Sequence, residues 1–266
     1  HGLRVIREMG EVVRKYPFRF AFKLQYRDLD TFIHPAMKDR MDVKYIKRFS
    51  ETRLSHEQFS LLVEEMRANS FQSMATPFDE ASVDLIEAQG LDYIKIASCS
   101  FSDWPLLERV VATNLPIVAS TAGASLDEID RVISFFMHRD KDFTIMHCVG
   151  EYPTPEKRLN LSQINFLRER YPGVKIGFST HEEPARTDIV QLAIAKGACA
   201  FEKHVGVATD AYALNAYSAS PSQVEAWLQA AQSAMTICWT ADRRSISNPD
   251  EAASLRSLRR GVFARR

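Results

Sequence analysis

The stretch FQSMATPFDEASVDLIEAQGLDYIKIASC, residues 71–99, holds two short apolar runs with an amphipathic run between them. Residues Phe71–Phe78 and Tyr93–Cys99 have the length and apolar content of buried strands. Residues Glu80–Ala88 between them have helical spacing. A strand, a helix and a second strand in this order are typical of a parallel sheet. This stretch therefore predicts an α/β fold.

The same alternation extends along the chain in both directions. Five further segments have the character of strands: Phe18–Tyr26, Pro116–Thr121, Phe143–Val149, Lys175–Ser179 and Ala198–Val205. Helical stretches lie between them, and Ser55 opens one of these, SHEQFSLLVEEMRANS, as a capping residue. Seven strands with following helices, in about 250 residues, favour the (β/α)8 TIM barrel over an open doubly wound sheet.

The first residues of the chain predict that strand one of the barrel is missing. Leu3, Val5, Ile6 and Met9 form a helical pattern with no strand before it. We therefore expect strand one to lie upstream of this chain. Residues 1–240 are assigned to the barrel domain, and residues 241–266, which begin with the polar stretch ADRRSISNPDEAAS, are assigned to a linker.

Charge and hydropathy exclude two classes of partner. The 34 basic residues balance the 34 acidic residues, so no overall field favours nucleic acid or an anionic membrane surface. No apolar run approaches the roughly 20 residues that a membrane-spanning helix needs, and no signal peptide is evident. The sequence predicts a cytoplasmic protein whose anionic ligands are bound by local charges.

One connection is unusually long. Residues 28–52 join the first strand to the next helix and, with Arg53, carry six basic residues among aromatics. Long connections at this end of a barrel commonly form lids over the active site. A solvated basic surface is the alternative interpretation.

Polar side chains concentrate where the predicted strands end. Because strand ends converge on one mouth of a barrel, these side chains would share a site. Two ammonium groups and several hydroxyls are a set suited to phosphate, and with the amide of Gln25 they belong to Lys23, Gln25, Thr76, Lys95, Ser98 and Ser120. The alternative is that Lys23 and Lys95 each pair with an inward carboxylate.

The last two predicted strands each end in an inward histidine. Strand alternation puts Ser179 and His181 on one face, and Glu202 and His204 on the matching face of the next strand. Two imidazoles at this spacing suit Mn²⁺, Mg²⁺ or Zn²⁺, and Glu202 is either a further ligand or a group that orients an imidazole. The alternative is a pair of satisfied core histidines.

A stiff turn is predicted after the fifth of the seven strands, in MHCVGEYPTP, where two prolines would hold Tyr152 over the mouth. This segment and others resemble one known family. The segments are TPFDEASVDLIEAQG, IKIASCS, STAGASLDEID, MHCVGEYPTP, GFSTH and GACAFEKH. In order and spacing over roughly residues 19–238, they resemble the N-acetylneuraminate (sialic acid) synthase family, including members assigned to spore coat polysaccharide synthesis.

The resemblance implies a transferase that condenses phosphoenolpyruvate with the open-chain aldehyde of an N-acylated amino sugar. The product would be a nonulosonic 2-keto acid for surface polysaccharide. By resemblance, His181 and His204 hold a divalent metal, commonly Mn²⁺. The residues around phosphoenolpyruvate would be Lys23, Thr76, Lys95, Ser98, Ser120 and Ser179, with Tyr152 beside it. We add Gln25, Glu202 and Asn215 as further substrate-binding residues.

The chain departs from the family pattern in several places. Gly150 stands where Asn is usual. The resemblance implies that Tyr212–Tyr217 is the segment that contacts the sugar, and Leu214 in it stands at a usual Asp position, so the acceptor sugar is left open. The family's strand-one Glu is absent, and a C-terminal antifreeze-like domain that completes the site of a homodimer would follow the linker. Two alternatives are a Schiff-base aldolase using Lys95 or Lys203, and a non-catalytic sugar-binding or phosphate-binding relative.

Overall fold

The computed structural model describes residues 1–210, 213–238 and 248–261, and this part of the chain alternates strands with helices. The strands are β1 (Ala21–Tyr26), β2 (Gln72–Pro77), β3 (Tyr93–Ile96), β4 (Ile117–Ser120), β5 (Phe143–Cys148), β6 (Lys175–Thr180) and β7 (Phe201–Lys203). The helices are α1 (Gly2–Val13), α2 (Leu29–Phe32), α3 (Lys44–Glu51), α4 (His56–Ala68), α5 (Glu80–Ala88), α6 (Trp104–Val111), α7 (Leu126–His138), α8 (Ser162–Arg170), α9 (Asp188–Ala195), α10 (Pro221–Ile237) and α11 (Pro249–Ser257).

The strands form one parallel sheet in the order β1-β2-β3-β4-β5-β6-β7. Each strand pairs with the next one along the chain, as in a (β/α) barrel. The sheet is curled, because Lys23 on β1 and Glu202 on β7, at its opposite edges, approach to 3.9 Å between Nζ and Oε2. The α/β class and all seven predicted strands are confirmed, in a TIM-barrel-like half-barrel. The eighth, upstream strand stays a prediction.

Serine caps fix the start of three helices. Ser55, Ser125 and Ser220 each accept a hydrogen bond from the backbone N–H three residues later, and a Gln or Glu side chain at that later position bonds back to the serine N–H. This reciprocal arrangement satisfies two donors that would otherwise lack partners at the helix end. The predicted cap at Ser55 is confirmed.

The apolar residues pack in two large clusters. One lies between the sheet and the helices from α4 to α9, with Ile86, Leu107 and Phe136 fully buried. The other holds α1, where Ile6 packs in the same cluster as Trp227 of α10. Helix α1 packs against α4 and α10, which follow the two edge strands of the sheet. The predicted N-terminal helix therefore covers the side of the half-barrel where those edges face each other.

The long connection after β1 is folded. It forms α2 and α3, and Leu29 of α2, Ile33 directly after it and Ile46 of α3 pack in a small cluster separate from the two larger ones. Near the end of the chain, α11 lies inside the predicted linker, capped by Asn248, while residues 241–247 and 262–266 lie outside the described part. No helix in the described ranges has the length and apolar character to cross a membrane.

Candidate functional site

A cavity of about 2500 Å³ opens where the strands reach their carboxyl ends. It is lined by eleven of the twelve predicted site residues: Lys23, Gln25, Thr76, Lys95, Ser98, Ser120, Tyr152, Ser179, His181, Glu202 and His204. The twelfth, Asn215, is exposed, and its Oδ1 accepts a hydrogen bond from the backbone N–H of Tyr217 at 3.1 Å. The structure therefore brings the predicted set together except for Asn215. Tyr212, part of the predicted sugar-contacting segment, lies outside the described residues.

Two lysines on the inner face of the sheet share one carboxylate. Oε2 of Glu202 lies 3.9 Å from Nζ of Lys23 and 3.8 Å from Nζ of Lys95. Burial alone would raise the pKa of Glu202, but the two ammonium groups lower it to about 2. Burial lowers the pKa of Lys95, and the Glu202 carboxylate opposes that shift. Two cations facing one anion leave one positive charge in the cavity, which an anionic ligand would neutralise.

Hydroxyl groups surround these charges. Lys95 donates to Oγ of Ser120 at 2.6 Å, and Lys23 donates to Oγ1 of Thr76 at 3.3 Å. Ser179 donates to Oε1 of Glu202 at 3.1 Å. These bonds hold the ammonium groups and the carboxylate in fixed positions around a common space. The alternative interpretation, that Lys23 and Lys95 pair with inward carboxylates, is confirmed to this extent: both lysines contact the same inward carboxylate, Glu202.

The two predicted histidines are neighbours. His181 follows β6, His204 follows β7, and their ring centroids are 5.2 Å apart. Nδ1 of His181 lies 3.0 Å from the carbonyl oxygen of Val149, and because a carbonyl can only accept, this nitrogen carries the proton in the neutral ring. Nε2 then presents its lone pair, as in a metal-ligating imidazole.

Both rings favour the neutral form. Burial lowers the pKa of His181. Burial, and then the charge of Lys23, lower the pKa of His204 to about 4. Neutral imidazole is the form that binds metal ions.

The donor set fits a divalent ion with open coordination positions. Within the described residues, no group of three or more His, Cys, Asp or Glu side chains could hold a metal ion. The protein would therefore supply the imidazoles of His181 and His204, and water or substrate oxygens would complete the coordination.

Aromatic rings cover the histidines from the mouth of the cavity. Tyr152 is about half exposed, with its ring centroid 4.3 Å from that of His181. Tyr217 lies 5.1 Å from both Tyr152 and His204, measured between ring centroids. Sequence reasoning predicted Tyr152 but missed Tyr217. Its signal was present, since Tyr217 closes the segment after β7 that was singled out for sugar contacts.

Lys203 faces away from the cavity, since it alternates along the chain with Glu202 and His204, which line it. Its Nζ donates to Oε1 of Glu182 at 2.8 Å, and both side chains are buried. Glu182 follows His181 and Lys203 precedes His204, so this ion pair joins the two chain segments that carry the histidines. Lys203 is thereby excluded as the nucleophile of a Schiff-base aldolase in this cavity.

Comparisons with known proteins agree on one family. The model of the NeuB family matches residues 20–238. The chain is 34% identical over 190 residues to N-acetylneuraminate-9-phosphate synthase of Drosophila melanogaster, which is 68% of this chain and 50% of that protein. It is 32% identical to the spore coat polysaccharide biosynthesis protein SpsE of Bacillus subtilis over 74% of this chain and 52% of that protein.

A solved structure from Chromobacterium violaceum, described as a spore coat polysaccharide biosynthesis protein E, superposes with a TM-score of 0.96 at 57% identity. The superposition covers 100% of this chain and 79% of that one. By contrast, the chain spans about half the length of the curated relatives it matches.

Proposed function

The chain belongs to the NeuB family, and from this membership we propose that it condenses phosphoenolpyruvate with the open-chain aldehyde of an N-acylated amino sugar. The product is a nonulosonic 2-keto acid for surface polysaccharide. The observation that carries the proposal is the pair of ammonium groups, Lys23 and Lys95, that share Glu202 beside two neutral imidazoles.

In the proposed reaction, C3 of phosphoenolpyruvate attacks the aldehyde carbon and forms the new carbon–carbon bond. Water adds at C2 and supplies the proton that the aldehyde oxygen takes up. The C2–O bond to phosphate then breaks as C2 becomes the ketone carbon, and phosphate leaves with the second proton of the water. Lys23 and Lys95 offset the negative charge of the phosphate and carboxylate throughout. Amide, hydroxyl and carboxylate groups orient the substrates, and these belong to Gln25, Thr76, Ser98, Ser120, Ser179 and Glu202.

His181 and His204 would hold a divalent ion, Mn²⁺ by family resemblance, with Mg²⁺ and Zn²⁺ also compatible with the donors. When bound, such an ion supplies Lewis-acid polarisation of the aldehyde oxygen. The ring of Tyr152 contacts that of His181 at a tilt of 48° and borders this side of the cavity.

Phosphate release tests the proposal. The protein is incubated with Mn²⁺, phosphoenolpyruvate and a panel of N-acylated aldoses, and we expect release that requires both organic substrates. Lys95→Met should lower kcat/KM for phosphoenolpyruvate by about 100- to 1,000-fold. The matched control is Lys175→Met, since Lys175 is an exposed lysine at the opposite end of β6. No release that depends on both substrates would reject the synthase function.

A Schiff-base aldolase is the second candidate, because burial lowers the pKa of the Lys95 amine. Borohydride in the presence of a keto acid would trap an adduct on Lys95 if this candidate were right, and the synthase predicts none. A non-catalytic relative would bind phosphoenolpyruvate without releasing phosphate.

Further parts of the proposal concern the whole protein. By family resemblance we propose a cytoplasmic homodimer in which a C-terminal antifreeze-like domain of one subunit completes the site of the other. Light scattering of the full reading frame measures the dimer, and a monomer at micromolar concentration would contradict it.

A further inference from the structure

Arg27 faces the cavity but has no part in the proposed reaction. It follows β1 directly, and Lys23, Gln25 and Arg27 alternate along the chain, so all three line the cavity. Nη1 of Arg27 donates to Oε1 of Gln25 at 3.2 Å. Arg27 therefore continues the row of polar side chains outward from the reaction centre to the mouth.

Two aromatic rings hold the guanidinium in place. Its central carbon lies 3.6 Å from the ring centroid of Phe78 and 4.3 Å from that of Phe49. Phe78 directly follows β2 and Phe49 belongs to α3, so Arg27 lies between the barrel and the α2–α3 segment. Contact with ring faces orients a guanidinium and partly replaces its lost hydration.

No carboxylate neutralises this cation. Within the described ranges, no ion pair includes Arg27, and its Nε is buried without a hydrogen-bond partner. The charge of Asp79 favours the protonated guanidinium, but its own oxygens accept hydrogen bonds from the backbone N–H of Asp28 at 2.9 Å and of Ser82 at 2.7 Å. The guanidinium therefore retains unused donors and an uncompensated charge.

A second guanidinium strengthens the positive potential here. Burial, and then the charge of Arg48, lower the pKa of Arg27 to about 10, so Arg27 keeps its charge at neutral pH. Arg48 also lines the cavity. A partly buried cation without an acidic partner is disfavoured until an anion arrives, and the arginine fork matches phosphate and carboxylate oxygens.

The position of Arg27 sets the kind of anion. At about 3.3 Å per residue of extended chain, the Cα atoms of Lys23 and Arg27 are about 13 Å apart. A ligand that reacts beside Lys23 and also reaches Arg27 is therefore an extended molecule with an acidic far end. We propose that Arg27, assisted by Arg48, binds a terminal phosphate or carboxylate on the acceptor sugar. This inference rests on the proposed function, since it names the class of its acceptor.

Paired acceptors test the inference. We would compare kcat/KM for N-acetylmannosamine, its 6-phosphate and N-acetylmannosaminuronic acid, so that the neutral, phosphate and carboxylate arms are measured separately. For the acidic sugar that the site prefers, kcat/KM should exceed the value for the neutral sugar by at least about tenfold. In Arg27→Gln the acidic-to-neutral ratio should fall about 10- to 100-fold, the effect of losing a hydrogen bond to a charged group.

Arg40→Gln is the matched control. Arg40 lies in the same connection after β1 but pairs with Asp42 and does not line the cavity, so its ratio should equal that of the wild type. Arg27→Lys keeps the charge without the fork and should lose part of the preference. The inference would be overturned if Arg27→Gln left the acidic-to-neutral ratio of kcat/KM unchanged. It would also be overturned if the variant raised the KM for phosphoenolpyruvate instead of changing that ratio.

Calorimetric titration with N-acetylmannosamine 6-phosphate separates this inference from the proposed function. If the wild type binds it at least tenfold more tightly than Arg27→Gln does, yet no acceptor is turned over, the anion subsite stands and the synthase function fails. If neutral acceptors are turned over while neither acidic sugar binds in an Arg27-dependent way, the synthase function stands and this inference is wrong.

Discussion

Replacing Lys203 by methionine is expected to destabilise the protein by about 3–5 kcal/mol. The Lys203 and Glu182 side chains are only 6% and 3% exposed, and their charged atoms are 2.8 Å apart. Oε2 of Glu182 is buried without a hydrogen-bond partner in the described part of the chain. Removal of the ammonium group would therefore leave a buried carboxylate with almost nothing to offset its charge.

An exposed lysine on strand β6 supplies the comparison. Lys175 pairs with Asp142 at 2.6 Å, but these side chains are 57% and 63% exposed. Water solvates both charges when such a pair is broken, so Lys175→Met should cost about 0–1 kcal/mol. The two variants delete the same group from pairs of similar length and differ in burial.

Urea unfolding measures the difference. The midpoint of Lys203→Met should move well below that of Lys175→Met at an unchanged m value. The double variant Glu182→Leu, Lys203→Met should recover most of the loss, because packed apolar side chains replace a buried ion pair at little cost. A loss below about 1 kcal/mol in Lys203→Met, or a double variant less stable than the single, would refute the reasoning.

Three further predictions concern packing, metal and pH. Gly177→Ala should cost about 1–3 kcal/mol in urea unfolding, because its Cβ would lie 2.6 Å from the carbonyl oxygen of Ala200; an unchanged midpoint would contradict this packing. His181→Ala and His204→Ala should each abolish stoichiometric Mn²⁺ binding, followed by electron paramagnetic resonance, with the circular dichroism of the fold retained; one-to-one binding in either variant would refute the ligand assignment. Burial lowers the pKa of His147, so below about pH 6.5 the unfolded chain takes up its proton first and stability falls by up to about 1.4 kcal/mol per pH unit. His147→Gln should flatten that slope in urea unfolding at pH 5 to 7, and an equally steep slope would exclude His147 as a source.

The strands and the inward-facing side chains of the site could be predicted because both follow from local periodicity. Alternation alone put Lys23, His181 and His204 on the inner face, and parallel strands bring their carboxyl ends together. The sharing of Glu202 by Lys23 and Lys95 could not be predicted, since it depends on the curl of the sheet across its open edges.

Arg27 could not be predicted as an anion-binding residue, for a different reason. Its position in the row follows from alternation, but its lack of an acidic partner is visible only in three dimensions. One of its aromatic contacts, Phe49, comes from α3, and the fold of that segment depends on a cluster too small to give a clear periodic pattern. The partner of Lys203 was hidden in the same way, because it depends on the register that sets Thr180 beside Lys203.

The small cluster of Leu29, Ile33 and Ile46 has an evolutionary consequence. Because α2 and α3 bury their apolar residues against each other, substitutions on their cavity-facing side perturb the barrel core little. Substitutions can then accumulate at the rim formed by α2 and α3, while the lysines, the shared carboxylate and the histidines are conserved for the reaction. Among relatives that act on different sugars, sequence differences should concentrate in the α2–α3 segment, because it can change without disturbing the packing of the barrel.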